Sequence, residues 1–223
     1  MPSSLRFPDA EAASDAIVFA GRAARLGEDA AVRLQASSGA LVMSAAVLAP
    51  RGLMEATPTV LAMRILPIDP ELECDFAVAA ASLRSEGTAA VALPETAVTA
   101  TWAGISPPRG GWRERGALEA SVIASRAQWG MAAVSDRVPR DAGEDAVRAT
   151  RARVWGESDS ALDGLPLGSA FAALTMGFIV GDERAQVRES GPWLRLSLSR
   201  GHVLTRTTVR SGLTPVRGTG SAR

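Results

Sequence analysis

The sequence predicts an α+β fold, in which a mixed, mostly antiparallel sheet packs against helices from residues 117–178. The sheet is expected to combine strands of the N-terminal half with a C-terminal hairpin. Two observations predict this. Alternating apolar and polar positions dominate residues 31–102 and return after residue 192, whereas helical spacing dominates the region between. Strands first, helices next and a hairpin last do not follow the alternation of a doubly wound fold.

The first elements are a helix and a hairpin. Residues 9–26 place apolar side chains at helical intervals and stop before Gly27, which suits a helix C-terminus. AVRLQAS (31–37) and LVMSAAVL (41–48) alternate on either side of Ser38-Gly39, which predicts a β-hairpin.

More strand-like segments follow. TVLAMRILPI (59–68) continues the alternation and predicts a third strand. FAVAAASLRS (76–85) predicts a strand that turns into a short helix. AAVALP and AVTATW, within residues 89–102, are strand-like again.

The central region predicts helices. ALEASVIASRAQW (117–129) spaces apolar residues along one face and is expected to end at Gly130. Residues 141–155 open with Asp141 and Glu144, three positions apart as in a capping box.

The last elements are a buried helix and a hairpin. GLPLGSAFAALTMGF (164–178) is apolar nearly all round, which is typical of a buried helix. WLRLSLS (193–199) and HVLTRTTV (202–209) predict a hairpin through an Arg200-Gly201 turn. We expect one domain over residues 1–210, with a sub-boundary near 105–117 as the alternative. Residues 211–223 contain few apolar groups and predict a disordered tail.

Composition excludes many kinds of active site. The chain has 24 arginines but no lysine, which excludes a Schiff-base lysine and the lysine of a phosphate-binding loop. One histidine and one cysteine leave too few ligands for an ordinary zinc site and rule out an internal disulfide. No cofactor is predicted. The absence of a secretory signal or a long apolar run predicts a cytoplasmic protein with no membrane contact, and the bias toward Ala, Arg, Gly and Val indicates a high-GC bacterial genome.

TWAGISPPRGGWRERG (101–116) is the main candidate binding segment. Arg109, Arg113 and Arg115 are able to grip a phosphate or carboxylate, with Trp102 or Trp112 as a stacking surface. The alternative is an ordered crossover, stiffened by two prolines and anchored to the core by its tryptophans.

Three other features carry chemistry-bearing residues. His202 follows a turn and is a candidate ligand-binding residue, but no nucleophile motif accompanies it, so a structural or solvent-facing role is the alternative. Cys74 lies among acidic residues, which raise a thiol's pKa and make it a poor nucleophile. The acidic run 68–75 is compatible with a hard cation but lacks the turn residues of a calcium loop.

Charge is distributed unevenly although the net charge is zero. Residues 1–100 hold twelve acidic groups and seven arginines, whereas residues 188–223 hold seven arginines and one acid. A basic C-terminal hairpin is compatible with nucleic acid, but zero net charge and the lack of lysine make nucleic acid an unlikely partner. Docking of that hairpin on the acidic part of a neighbouring copy is the other reading.

The segments WAGISPPRGGW, LPLGSAFAALTMGF and SGPWLRLSLSRGHVLTR together resemble an uncharacterised family of proteins from high-GC actinobacteria. The resemblance implies no activity and no functional residue. A fainter similarity to sliding-clamp domains lies in the order helix, hairpin, FAVAAASLRS, and the helical second half departs from it.

These observations predict a non-enzymatic protein that acts through protein–protein contacts and forms a homo-oligomer, since five tryptophans favour an interface. The first alternative is a protein that binds a small anion or a nucleotide through the 109–115 loop. An enzyme acting on such a ligand is one form of this alternative. The second alternative is a nucleic-acid-associated protein using the C-terminal hairpin.

Overall fold

A computed structural model describes residues 2–50, 55 and 57–206 of the chain and confirms the α+β class. The helices are α1 (Ala10–Ala24), α2 (Ala120–Arg137), α3 (Glu144–Gly156) and α4 (Leu167–Thr175). The strands are β1 (Ser4–Arg6), β2 (Ala31–Ser37), β3 (Ala40–Leu48), β4 (Thr59–Pro67), β5 (Cys74–Ala79), β6 (Arg84–Glu86), β7 (Ala90–Ala92), β8 (Arg113–Glu119), β9 (Arg184–Ser190), β10 (Trp193–Leu198) and β11 (Gly201–Arg206).

Eight strands form one large sheet in the order β5-β2-β3-β4-β11-β10-β9-β8. Each half of the chain contributes four neighbouring strands, and every described strand pair is antiparallel. The halves join where β11 pairs with β4, from His202 opposite Met63 to Arg206 opposite Thr59. A three-stranded sheet, β1-β7-β6, lies apart from the large one.

Alternation along the strands gives the large sheet two different faces. Val60, Ala62 and Val203 lie on the inner face, which the helices cover, and all three are buried. The outer face carries the intervening residues, including Ile65 and His202. A one-residue shift in register would exchange the two sets, so the buried inner face fixes the pairing.

Two helices close the inner face. Helix α1 contacts strands of both sheets and buries an alanine-rich face, so the helix approaches both sheets closely. Its N-terminus is capped by Asp9, whose Oδ1 accepts a 2.8 Å hydrogen bond from the Ala12 N–H. Helix α4 lies over β4 and β11, and α2 and α3 pack against α4. The core therefore runs across the junction between the halves.

Most of the predicted elements are confirmed. These are α1, the β2–β3 hairpin, β4, the strand-then-turn over 74–82, the buried helix α4 and the β10–β11 hairpin as far as Arg206. The end of the predicted strand 202–209 and the tail 211–223 lie outside the described residues.

Four sequence-based details are wrong. AVTATW contains no strand and leads into a 3₁₀ turn at Thr101–Gly104. Helix α2 does not end at Gly130 but continues to Arg137, because this glycine makes room for a tryptophan ring. Helix α3 begins at Glu144 after Gly143 and has no side-chain cap, so there is no capping box. Strands β8 and β9 were not predicted.

Candidate functional site

The segment 101–112, called the strap below, crosses the outer face of the large sheet. Trp102, Ile105 and Trp112 are half-buried and pack on a small apolar cluster there; its buried members are Leu61, Trp193 and Leu204. The Trp112 N–H donates to the Pro108 carbonyl at 3.1 Å. The two tryptophans therefore contact a second cluster on the outer face and not the main core.

Polar contacts hold the strap in its middle and near its C-terminal end. Arg33 of β2 donates to the Ser106 hydroxyl at 3.1 Å, and the Ser190 hydroxyl donates to the Gly110 carbonyl at 3.3 Å. The strap thus bridges strands from both halves of the chain. These contacts are those expected of an ordered crossover.

The three arginines of the candidate loop do not converge. Arg113 and Arg115 lie in β8 and pair with carboxylates: Arg113 with Glu189 at 3.4 Å, and the Nε of Arg115 with Asp163 at 2.8 Å. Arg109 is exposed, and no ion pair of its side chain occurs among the residues that the structure describes. Arg113 and Arg115 therefore already have partners within the chain. Ligand binding by this loop stays a prediction.

A row of contacts links Trp112 to His202. The Arg195 guanidinium lies over the Trp112 ring, 5.1 Å from its centroid, and its Nε donates to the Ser197 hydroxyl at 3.2 Å. The same hydroxyl lies 3.0 Å from Nδ1 of His202. Two of the six predicted site residues are therefore joined through Arg195, which sequence reasoning missed. Strand alternation in WLRLSLS is the signal that places Arg195 on the same face as Ser197, and the hairpin register places His202 opposite Ser197.

His202 is poorly suited to act as a general base. Burial is the main cause of a low pKa for His202, and together with the charges of Arg195 and Arg64 it lowers that pKa to about 4. The imidazole is therefore neutral at pH 7, and a base with so low a pKa has little drive to take up a proton there.

Cys74 is a poor nucleophile, and Asp75 of the acidic run already has a partner. Burial raises the pKa of the Cys74 thiol, and the charges of Asp75 and Glu73 add to this, so little thiolate forms at pH 7. Asp75 binds Arg33 through both oxygens at 2.7 and 2.8 Å, and these hydrogen bonds hold its pKa below the usual range. Within residues 2–50, 55 and 57–206, no three metal-binding side chains are grouped as a site.

A cleft of about 640 Å³ lies on the helical side, between the α1–β2 turn, the end of β3 and α3. Glu28 and Asp29 line one wall, and Arg148 and Arg151 line the other. Trp155 also lines it; the ring is 4% exposed, and its N–H is the one buried side-chain donor without a partner in the described part of the chain. None of the six predicted site residues lines this cleft.

Helix α2 presents an uncharged stripe to solvent. Its exposed positions from residue 121 to residue 135 follow helical spacing and carry no charge: Ser121, Ser125, Gln128, Trp129, Ala132 and Ser135, with Met131 beside them. Trp129 is 43% exposed, and the Arg126 guanidinium lies 4.5 Å from its ring centroid. Arg126 in turn pairs with Asp159. The stripe thus has a large aromatic side chain held in place at its centre.

No helix in the described residues is both long and apolar enough to cross a bilayer.

Among solved structures, the fold resembles bacterial sliding clamps. One is a DnaN sliding clamp (DNA polymerase III subunit beta) from Bartonella birtlesii, with a TM-score of 0.49 and 14% identity over 95% of this chain and 66% of that one. A putative DNA polymerase III beta subunit from Eubacterium rectale gives 0.48 and 8% over 95% and 66%. The chain thus spans about two thirds of these subunits' length, and the likeness assigns it no activity.

Two family models match the sequence and meet at the strap. Residues 1–104 match a domain of unknown function, DUF8010, and residues 107–210 match a second, DUF8185. No curated protein matches the chain. The predicted resemblance to an uncharacterised family is therefore confirmed. Each half of the chain is thus similar to a different family, and both families are described as domains of unknown function.

Proposed function

We propose that this chain is a non-enzymatic cytoplasmic protein that acts through protein–protein contacts and self-associates through helix α2. The observation that carries the proposal is the uncharged stripe centred on Trp129. Exposed surface without charge is the compositional mark of an interface core, where lysine, glutamate and aspartate are depleted.

The contacts of Trp129 support the proposal. Tryptophan and arginine are the residues most often found at the energetic centre of interfaces. Arg126 stacks on the ring, and its ion pair with Asp159 fixes the guanidinium. A side chain that is already ordered loses little conformational entropy on binding, so more of its contact energy contributes to affinity.

A second copy of the chain is the occupant that fits the stripe best. The stripe is neutral, so two copies meet without repulsion between like charges, and serines and alanine allow two helices to approach closely. Helix α2 has 18 residues and is about 27 Å long. Two such helices packed about a two-fold axis make a self-complementary contact, as closed dimers require.

The state of the reactive side chains supports a non-enzymatic role. His202 is neutral and hydrogen-bonded to Ser197, and the Cys74 thiol has a raised pKa. A half-buried free thiol is also typical of a reducing compartment such as the cytoplasm.

The test is sedimentation velocity of the wild-type chain and of Trp129→Ala between about 1 and 50 µM, a range that brackets micromolar association. We expect the wild type to form a dimer and the variant to dissociate at least tenfold more readily, because truncating an interface tryptophan commonly costs 2 kcal/mol or more. Helix formation should survive, since alanine is the best helix former.

Ile65→Ala is the matched control. Ile65 is 49% exposed, but it lies on the outer face of β4, away from α2. We expect it to leave the dimer unchanged. A monomeric wild type over the whole range, or a dimer sensitive to Ile65→Ala and not to Trp129→Ala, contradicts the proposal.

A further inference from the structure

Two arginines face each other on the outer face of the large sheet. Arg188 of β9 and Arg195 of β10 occupy directly opposed positions of an antiparallel pair. Side chains at such positions start about 5 Å apart, and two like charges there destabilise the sheet. Both residues are half-buried, so water screens the repulsion less than on an open surface.

The repulsion is not offset by a carboxylate in direct contact. Neither Arg188 nor Arg195 forms an ion pair with any described residue. Glu114 of β8 lies opposite Arg188 in the register, but the two charged groups do not come within ion-pair distance. The neighbouring Glu189 contacts Arg113 and Arg115 instead.

Arg195 is held in place, and the two terminal nitrogens of its guanidinium group are available to donate hydrogen bonds to a ligand. The Trp112 ring covers one side of its guanidinium plane, and its Nε is bonded to Ser197. Its two terminal nitrogens donate no hydrogen bond to the described residues. Burial and the charge of Arg188 both lower the pKa of Arg195, which shows that this environment disfavours the extra positive charge.

We propose that Arg188, Arg195 and Trp112 form a binding site for a small phosphate-bearing molecule. An oxyanion between the guanidinium groups converts their repulsion into two attractions, and guanidinium forks match phosphate oxygens in geometry. A phosphate monoester carries about −1.5 to −2 charges at pH 7 and so neutralises both arginines, whereas a carboxylate neutralises only one. This site is separate from the α2 stripe and goes beyond the proposed function.

The location fixes how such a ligand is held. The site lies on a sheet face and not in the cleft that Trp155 lines, so the phosphate is the part of the ligand that the protein binds. The half-buried Trp112 ring is the adjoining surface for the rest of the molecule.

The experiment is thermal unfolding with inorganic phosphate or chloride at matched ionic strength, pH 7. Phosphate should raise the Tm of the wild-type chain above its value in chloride. In Arg188→Gln and in Arg195→Gln, the phosphate dissociation constant should rise about tenfold or more, since each loses a hydrogen bond to a charged group. In chloride, Arg188→Gln should be at least as stable as the wild type, which a purely structural role for Arg188 does not predict.

Arg184→Gln is the matched control. Arg184 lies on the same strand and face as Arg188, but it is paired with Glu119 at 2.8 Å. Its loss should leave the phosphate effect intact. Equal Tm values in phosphate and chloride, or equal loss of the phosphate effect in Arg184→Gln, overturn the proposal.

Titration with a nucleoside monophosphate and with a single-stranded oligonucleotide identifies the source of the phosphate. Binding of the monophosphate at least as tight per phosphate as that of the oligonucleotide supports a small ligand. Binding of the oligonucleotide alone overturns it in favour of nucleic acid. The dimer test above uses α2 variants and is independent of these outcomes.

Discussion

At the scale of single residues, His202 shows how a titratable group comes to be neutral. It lies on the outer face of β11. The neighbouring strand on one side, β10, carries Ser197 and Arg195, and the neighbouring strand on the other side, β4, carries Arg64. Burial and two positive neighbours act in the same direction, so the folded chain resists protonation of the ring. A histidine in this setting affects stability more than it affects chemistry.

His202 should make the fold sensitive to mild acid. Its pKa is about 4 in the folded chain and about 6.5 in the unfolded chain, so the unfolded chain binds the proton more readily. The contribution of the neutral His202 ring to the free energy of unfolding is therefore fully present above about pH 6.5 and is lost as the pH falls toward 4. The loss is at most about 3 kcal/mol, because part of the ring is exposed to water. Urea unfolding at pH 7 and pH 4.5 measures the loss.

His202→Gln provides the comparison for this effect. Carboxylates such as Asp75 also lose stabilising contacts in acid, so only the difference between wild type and variant reports on the histidine. We expect the variant to lose less stability between the two pH values. An equal loss in both proteins shows that His202 does not contribute.

The chemical state of a side chain could be predicted from the sequence only where the neighbours that determine it are also close in sequence. The poor nucleophilicity expected of Cys74 agrees with its raised pKa, because the acidic neighbours that cause part of it are adjacent in sequence. Arg188 and Arg195 were not singled out, because their proximity depends on the register of two strands, one of which, β9, was not predicted.

At the scale of elements, α2 and α3 are fitted together by one glycine. Gly130 is buried in the middle of α2, and a Cβ built there would lie 2.3 Å from Cζ3 of Trp155. The Trp155 ring also stacks on Phe171 of α4 at 4.3 Å, so it cannot move away easily. The glycine that the sequence suggested as a helix end is instead the point at which α2 meets the Trp155 ring of α3.

Gly130→Ala should destabilise the fold although alanine favours helices. Overpacking of a rigid core site commonly costs about 1–3 kcal/mol, which exceeds the gain of about 1 kcal/mol in helix propensity. Gly21→Ala in α1 is the control: a Cβ there meets no atom within 4 Å, so the change should stabilise by about 0.5–1 kcal/mol. Denaturant unfolding of both variants measures the two signs. A Gly130→Ala variant as stable as the Gly21→Ala variant contradicts the packing argument.

The strap illustrates the other limit of reading elements from sequence. Its prolines, glycines and tryptophans predicted an ordered crossover, and the contacts of Trp102 and Trp112 are of that kind. The surface on which it lies was not predictable, because Leu61 and Leu204 belong to distant strands. Local chemistry therefore indicated the order of the segment but not its place.

At the scale of the whole molecule, the two regions that different family models match share one sheet and one inner core. The antiparallel pair of β4 and β11 joins them by main-chain hydrogen bonds, and α4 covers this junction from the inner side. Antiparallel order within each half was predictable from alternation. The join itself was not, since it links strands far apart in the chain.

We expect the chain to unfold in a single transition in spite of its two family regions. Separating the halves would expose two strand edges and the apolar surface beneath α4, so neither half gains by unfolding alone. Differential scanning calorimetry tests this through the ratio of calorimetric to van't Hoff enthalpy, which should be close to one per folding unit. Two resolved transitions would show that the halves are separate domains and favour the sub-boundary near 105–117.

The β4–β11 pair also has a consequence for synthesis on the ribosome. Strand β4 ends at Pro67, but its partner ends at Arg206, so the partner emerges about 140 residues later. At about 5–20 residues per second, the nascent chain carries an unpaired β4 edge for roughly 7–28 s. That edge bears Leu61 and Ile65, with Arg64 as the charged residue that discourages pairing with other nascent chains.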